Sequence, residues 1–221
     1  MQFIFHENAG LQTIELFDEH YNYLIKARRS KIGDEIFCRN LVDDLLHTYH
    51  IEEITKKNCK LSLFNSISKP RTPNTKLEII WCIIDPKTIE KQLPSLNQIG
   101  VSKIYFIKCD FSQGNFEPNL QRLNKILINS CEQCGRSDLM EFEIISKSKL
   151  NSMNFAYFDF GGKEIDKSIK DFDKFLFGPE GGFSQKELEQ LNQKSCYKFN
   201  TNNILRSENA IFALSSIYLL S

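Results

Sequence analysis

The sequence predicts an α/β protein with a small N-terminal β domain and a C-terminal domain built around a parallel sheet. Three observations predict this class. Residues 1–64 contain short segments that alternate apolar and polar side chains, as half-buried strands do. Residues 65–75 hold two prolines and almost nothing apolar, which is typical of a linker. The remainder alternates strand-like and helix-like runs. We therefore predict domains at 1–68 and 69–221.

The N-terminal domain is predicted to be a small β barrel or curled sheet. The turn signal Lys31-Ile32-Gly33-Asp34 precedes one of its strands. Its predicted strands are residues 2–5, 35–38, 45–51 and 60–64.

The C-terminal domain begins with a continuous apolar run, Leu77 to Ile84. Such a run fits a strand that is covered on both faces, as in a parallel sheet with helices on both sides. Leu123, Ile126, Leu127 and Ser130 lie on one face of a later helix pattern. Strands are predicted at 103–108, 142–145, 155–160 and 172–177, and helices at 87–99, 120–135, after Ser184, and 209–220.

The composition of the chain limits the classes of function that it could have. The chain has 221 residues, 41% hydrophobic and 25% charged, with a formal net charge of zero, so its overall charge makes no case for nucleic-acid binding. No apolar run approaches the roughly 20 residues of a membrane helix, and no secretory signal is evident. Seven scattered cysteines, an odd number, indicate free thiols in a reducing cytoplasm. Cys131 and Cys134 form one close pair within a helix pattern, and nothing nearby completes a zinc site.

A glycine-rich loop, Phe177-Gly178-Pro179-Glu180-Gly181-Gly182-Phe183, is the strongest candidate for a ligand site. It follows a strand pattern and precedes Ser184 and Glu187, which fit a capping box. No Gly-Lys-Ser/Thr follows, and the glycine spacing is not that of a dinucleotide fingerprint. The alternatives left are a structural turn, or a loop whose amides and acidic side chain bind a ligand with a cationic or polar amino group.

A second polar segment, Ile204 to Glu208, precedes the last helix. Ser207 is predicted as its N-cap, and Glu208 favours the positive helix end. An ion pair and a cap would explain these residues as well. Because two polar loops open two consecutive helices of one predicted sheet, we favour a shared ligand site.

These segments resemble the two signature motifs of the RsmE family, the small-subunit ribosomal RNA uracil-N3 methyltransferases of the SPOUT superfamily. The resemblance extends over nearly the whole chain. Further similar segments are His20-Tyr21 through Ala27 to Asp34, Gly100-Val101, and Glu132-Gln133-Cys134-Gly135-Arg136. Phe199-Asn200 stands where the family usually has Leu-Gly, and Asn, which tolerates a left-handed turn best of the non-glycine residues, suits that position.

The resemblance implies an N-terminal PUA-like RNA-binding domain, a SPOUT methyltransferase domain with a trefoil knot, a homodimer, and 16S rRNA or the small ribosomal subunit as partner. It implies S-adenosylmethionine as cofactor and no metal. The cofactor-binding residues that it implies are Phe177, Gly178, Glu180, Gly181, Gly182, Phe199, Asn200, Ile204, Leu205 and Arg206.

The implied reaction needs uracil N3 in line with an activated methyl group, and N3 must lose its proton. Arg206 is the predicted catalytic cation, and Glu208 the predicted base or orienting partner. Four cations within six residues, which on composition alone fit a solvated face, become predicted RNA contacts. The predicted RNA-binding residues are Lys26, Arg28, Arg29, Lys31 and Arg136.

Two other functions stay open at this stage. The first is a SPOUT enzyme with another RNA target, such as a ribose 2′-O-methyltransferase. The second is a catalytically impaired RNA-binding or ribosome-assembly protein, which would not bind S-adenosylmethionine.

Overall fold

The computed structural model describes residues 1–112 and 116–220 of the chain. They form two compact units: Met1–Thr72 with Ile128–Leu139, and Pro73–Leu127 with Met140–Ser221. The predicted boundary at 68/69 remains a prediction. No sequence signal indicated that the segment Ile128–Leu139 groups with the N-terminal residues.

The first unit contains a five-stranded sheet with the order β1-β3-β4-β5-β2. β1 pairs with β3 in parallel, and the other pairs are antiparallel. The strands are β1 (Ile4–Phe5), β2 (Thr13–Leu16), β3 (Glu35–Arg39), β4 (Leu45–Ile54) and β5 (Cys59–Ser68). A short helix, α1 (Asp18–Tyr21), continues into a π-helical segment, Asn22–Ala27.

The predicted linker at 65–75 is wrong in its first four residues. Asn65–Ser68 continue β5, because β4 offers a partner along its whole length: Leu45 pairs with Ser68, and Thr48 with Asn65. Cross-strand pairing thus overrides the low strand propensity of two serines and an asparagine.

Buried Glu132 is hydrogen-bonded to the N-terminal residues of this unit. Its carboxylate accepts a hydrogen bond from the Phe5 amide at 2.8 Å and contacts His20 Nε2 at 2.9 Å. Its carbonyl accepts from the Gln2 amide at 2.6 Å. One residue of the predicted family element 132–136 therefore has a clear structural role.

The second unit contains a six-stranded parallel sheet with the order β11-β9-β10-β6-β7-β8. The strands are β6 (Glu78–Cys82), β7 (Lys103–Ile107), β8 (Glu141–Ile145), β9 (Ala156–Glu164), β10 (Lys174–Phe177) and β11 (Cys196–Lys198). The helices are α2 (Pro86–Ile99), α4 (Lys147–Asn151), a 3-10 helix (Lys167–Asp171), α5 (Gln185–Leu191) and α6 (Ser207–Leu220). A further helix, α3 (Leu120–Cys134), begins in this unit, and its residues from Ile128 onward belong to the first unit.

The prediction of a sheet covered on both faces is confirmed. All five residues of β6 are buried. On one face, Ile80 and Leu176 belong to an apolar cluster with Leu191 of α5. On the other face, Trp81 donates a hydrogen bond to Ser207, and the Phe175 ring lies 5.7 Å from that of Tyr218, both on α6.

The prediction of seven free cysteines is wrong for one pair. Cys82, at the end of β6, is bonded to Cys109, just after β7. These residues are 27 positions apart in sequence, and only the parallel pairing of β6 with β7 brings their Cα atoms to 5.8 Å. The other five cysteines are free thiols, including Cys131 and Cys134 of α3.

Candidate active site

The two polar segments singled out in the sequence line one cavity of about 600 Å³. It lies at the carboxyl ends of the neighbouring strands β9, β10 and β11, where ligands bind in open α/β sheets. A cavity of this size suits a small molecule, since ligand pockets span about 300–1,000 Å³.

The glycine loop is a tight turn with restricted side-chain space. The Gly182 amide donates to the Pro179 carbonyl at 2.9 Å, and Gly182 has a φ of +72°. A Cβ at Gly178 would lie 3.2 Å from the Phe183 ring. The predicted capping box is confirmed, because Ser184 and Glu187 exchange side chain to backbone hydrogen bonds.

Ser207 joins the two loops. Its hydroxyl donates to the Gly178 carbonyl at 2.7 Å and accepts from Trp81 Nε1 at 3.2 Å. We predicted Ser207 as the N-cap, but α6 begins at Ser207 itself, and the Arg206 carbonyl accepts from the Ala210 amide at 2.9 Å. The hydroxyl therefore ties the glycine loop to α6.

Three stacked rings form an apolar wall of the cavity. Phe158 stands in the middle, with ring centroids 4.8 Å from Phe177 and 4.9 Å from Phe199. Phe199 thus fills its position by extending an aromatic stack. Asn200 does not adopt a left-handed conformation, since the residues with positive φ do not include it.

Two charged side chains, Glu180 and Arg206, line the cavity and have no oppositely charged partner among the described residues. Glu180 and Arg206 are exposed lining residues. Within 1–112 and 116–220, no hydrogen-bond or ion-pair partner is found for the Arg206 guanidinium. Glu208 does not line the cavity, but its Oε2 atom is buried and has no hydrogen-bond partner among the described residues.

The sequence predicted only some of the residues that line the cavity. The predicted cofactor residues that line it are Phe177, Gly178, Glu180, Gly182, Phe199, Asn200, Ile204, Leu205 and Arg206. Gly181 does not line the cavity, and a Cβ at this position would be 3.1 Å from Phe111. Phe158, Asp159, Phe160 and Glu164 of β9 were missed. No local signal marks them, because they reach the cavity only through the pairing of β9 with β10.

Tyr157 precedes the stacked Phe158 but does not line the cavity. Burial, reinforced by its neighbours Cys196 and Asp159, raises the pKa of Tyr157 to about 12. The phenol therefore remains neutral at physiological pH.

The predicted RNA-binding cluster of the first unit is exposed. Lys26, Arg28, Arg29 and Lys31 all face solvent, and the Arg28 guanidinium lies 5.1 Å from the Tyr23 ring centre. Arg29 has a φ of +58°, a conformation that costs an L-residue about 1–2 kcal/mol. Such conformations and π-helical turns often accompany functional surfaces.

Arg136 has different surroundings. It is 5% exposed, and its guanidinium donates two hydrogen bonds to Asp138 at 3.0 and 2.8 Å. Its role as an RNA contact stays a prediction.

The described residues hold neither a metal-ligand cluster nor a membrane-spanning helix. Outside the gap at 113–115 and Ser221, no three His, Cys, Asp or Glu side chains come together as metal ligands would. Within the described ranges, no helix combines the length and the apolar character that crossing a bilayer requires.

Family comparisons agree in both parts of the chain. A model described as an RNA methyltransferase domain matches residues 70–219, and one described as an RNA methyltransferase PUA domain matches residues 18–64. The ribosomal RNA small subunit methyltransferase E of Helicobacter pylori is 39% identical over 98% of this chain and 99% of its own length. The enzyme of the same name from Rickettsia conorii is 30% identical over 97% of this chain and 91% of its own length.

Solved structures share the fold. The crystal structure of the ribosomal RNA small subunit methyltransferase E of Neisseria gonorrhoeae, bound to S-adenosyl methionine, aligns with a TM-score of 0.82. The alignment covers 98% of this chain and 96% of that one at 19% identity.

Proposed function

From the chain's membership of the ribosomal RNA small subunit methyltransferase E family, we propose that it methylates N3 of a uridine in 16S rRNA with S-adenosylmethionine as the methyl donor. The observation that carries this proposal within the structure is that the glycine loop and the segment 199–206 line one cavity at the carboxyl edge of the sheet.

The cavity residues fit this cofactor. The stack of Phe158, Phe177 and Phe199 offers an apolar wall for a planar base. The exposed carboxylate of Glu180 offers a partner for a positively charged group. S-adenosylmethionine supplies a methyl group on a cationic sulfur, already activated for transfer. We assign its binding to Phe177, Gly178, Glu180, Gly181, Gly182, Phe199, Asn200, Ile204, Leu205 and Arg206.

Arg206 and Glu208 are the residues to which we assign the chemistry. The Arg206 guanidinium stabilises the negative charge that develops on the uracil oxygens as N3 loses its proton. Glu208 accepts that proton or orients Arg206. The target base has to be unpaired or extruded, because N3 lies on its pairing edge.

The first unit is proposed as a PUA-like RNA-binding domain. Its Lys26, Arg28, Arg29 and Lys31 side chains are available for phosphates. For the second unit we propose a trefoil knot, on the family membership alone. Exposed Phe212 and Leu220 on α6 support a homodimer. We propose a cytoplasmic location because the proposed substrate is there.

The Arg206→Ala variant tests the assignment. Purified protein, methyl-labelled S-adenosylmethionine and small ribosomal subunits lacking the modification are incubated, and the RNA is digested to nucleosides. Wild-type protein is expected to yield 3-methyluridine. Arg206→Ala is expected to lower kcat by about 100-fold or more, the usual effect of removing one charge-stabilising group.

Arg122→Ala is the matched control. Arg122 is also exposed in the second unit, but it pairs with Glu90 of α2 at 2.5 Å and lies outside the cavity. If the product were a 2′-O-methylated nucleoside, the chain would be a ribose methyltransferase with another RNA target and not the proposed enzyme. Absence of S-adenosylmethionine binding by calorimetry would favour an assembly protein, and full activity of Arg206→Ala would remove Arg206 from the mechanism.

A further inference from the structure

Ser184, the residue that follows the glycine loop, is hydrogen-bonded to a second loop, Cys109–Ser112. This second loop follows β7 and does not line the cavity. The Asp110 carboxylate accepts from Lys147 Nζ at 2.7 Å and from the Ser184 hydroxyl at 2.5 Å. The Asp110 amide donates to Glu187 Oε1 at 3.0 Å. Because Ser184 directly follows the glycine loop, these bonds hold its downstream end.

Lys147 and Glu187 complete a four-residue network with Asp110 and Ser184. Lys147 Nζ also donates to Glu187 Oε1, at 2.9 Å. The other oxygen, Glu187 Oε2, accepts from the Ser184 amide at 3.1 Å. One ammonium group of α4 therefore bridges the carboxylate that caps α5 and the carboxylate that holds Ser184.

The same second loop has two further attachments. Cys109 is covalently bonded to Cys82 at the end of β6. Phe111 packs against the glycine loop, with its Cβ 3.1 Å from the position that a Cβ of Gly181 would take. The loop is thus anchored to the sheet on one side and packed against the glycine loop on the other.

The energetics suggest a role beyond stability. Lys147 has 47% of its side chain exposed and Asp110 has 39%, and exposed ion pairs contribute only about 0–1 kcal/mol to stability. Glu187 is 8% exposed, so the Lys147–Glu187 pair is the more buried of the two contacts. A network that orders a loop before its ligand binds raises affinity, because less ordering is left to occur on binding.

We propose that Lys147 and Asp110 are positioning residues, which hold the loop 178–183 in the geometry that binds the cofactor, and that the Cys82–Cys109 disulfide anchors the loop that carries Asp110. This inference rests on the proposed function, since it takes S-adenosylmethionine as the ligand of the loop. Neither residue touches the cavity.

Lys147→Met tests the proposal against Lys149→Met. Lys149 lies on the same helix, is also 47% exposed, and also makes an ion pair, with Glu143, but it has no contact with the second loop. In the full-length protein we expect Lys147→Met to raise the Kd and KM for S-adenosylmethionine about tenfold, or about 1.4 kcal/mol. We expect kcat to be kept and Lys147→Arg to restore affinity.

Three measurements separate the outcomes. Equal weakening by Lys149→Met, or wild-type affinity in Lys147→Met, would overturn the proposal. A Tm lowered much more by Lys147→Met than by Lys149→Met would reduce Lys147 to a structural role. Hydrogen exchange of the 178–183 amides needs no cofactor: Lys147→Met should accelerate it even if the wild-type protein proved not to bind S-adenosylmethionine, which would count against the proposed function alone.

The disulfide is tested by a double-mutant cycle. Cys82→Ser with Cys109→Ser should raise the same Kd, and adding Lys147→Met should raise it by less than the product of the two effects, because both act through one loop. Fully independent effects would remove the disulfide from the proposal.

Discussion

Glu208 has a buried carboxylate oxygen, Oε2, with no hydrogen-bond partner among the described residues. A buried carboxylate oxygen without a hydrogen-bond partner is unfavourable, and native structures rarely leave one unpaired. Glu208 lies in the first turn of α6, where the helix dipole is positive. A substrate or cofactor group that supplies the missing partner would explain the side chain.

Glu208→Gln keeps the shape of this side chain and removes its charge. We expect kcat to fall by about 100-fold or more, the contribution of a positioned acid or base. The measurement is the pH dependence of kcat with small ribosomal subunits. Loss of the acidic limb identifies a base, and a lower rate with the limb retained identifies an orienting partner.

Glu189→Gln, in the exposed part of α5, is the control for this substitution and should retain activity. Wild-type kcat in Glu208→Gln would contradict both roles for Glu208.

At the scale of elements, an ion cluster joins the beginnings of two strands that are distant in sequence. Glu78 starts β6 and is 3% exposed, and Lys174 starts β10 directly opposite it. Glu78 contacts Lys76 Nζ at 2.5 Å and Lys174 Nζ at 3.2 Å, and it accepts from the Tyr105 hydroxyl at 3.1 Å. This cluster stabilises the central strand pair at the edge opposite the cavity.

The cluster predicts a pH-dependent stability. Burial alone would raise the pKa of Glu78, but hydrogen bonds from Lys76 and Lys174 bring it below 4.5. A lowered folded-state pKa means that the stabilisation is complete above the unfolded value and is lost as pH falls through the folded one. We expect Glu78→Gln to lose about 2 kcal/mol at pH 7. This difference from wild type should shrink below pH 4.5.

Urea unfolding between neutral and acidic pH measures this difference. Glu141→Gln is the matched control, since Glu141 starts β8 and pairs with Lys103 of β7 at 3.2 Å, but is 71% exposed. A pH-independent loss in Glu78→Gln, or an equal loss in Glu141→Gln, would contradict the prediction.

The whole molecule has no net charge, so any attraction to RNA has to be local. The cluster of Lys26, Arg28, Arg29 and Lys31 is a region of the first unit where four exposed cations follow one another closely. Each phosphate contact adds a fixed amount to the salt dependence of binding.

Reversing the charge at Arg28 and Arg29 together should weaken RNA binding and flatten its salt dependence. For two lost phosphate contacts, the slope of log K against log salt should fall in magnitude by about 1.5. Fluorescence anisotropy with a single-stranded RNA fragment, from low to physiological salt, gives this slope.

Lys56 and Lys57 provide the control. They form another exposed cationic pair in the same unit, in the turn between β4 and β5. The prediction fails if charge reversal at Arg28 and Arg29 leaves the slope unchanged, or if reversal at Lys56 and Lys57 changes it equally. Either result would mean that the cluster is a solvated face with no specific role in RNA binding.

The elements were predictable where local chemistry decides them. The apolar run at 77–84 indicated a strand covered on both faces, and β6 is buried throughout. Ser184 and Glu187 predicted the start of α5, because a capping box is formed by neighbours in sequence. α4 and β11 were not predicted, since five and three residues are too short to show a period.

The sequence by itself determined the two motif loops, the alternation of strands and helices and the family, because these depend on residues close together in the chain. Only the tertiary structure decided that Phe158 stacks between Phe177 and Phe199, that Cys82 meets Cys109, and that Lys147 bridges Asp110 and Glu187. The reason is strand order: β9 lies beside β10, and β6 beside β7, and the pairing of parallel strands brings together residues that no local pattern relates.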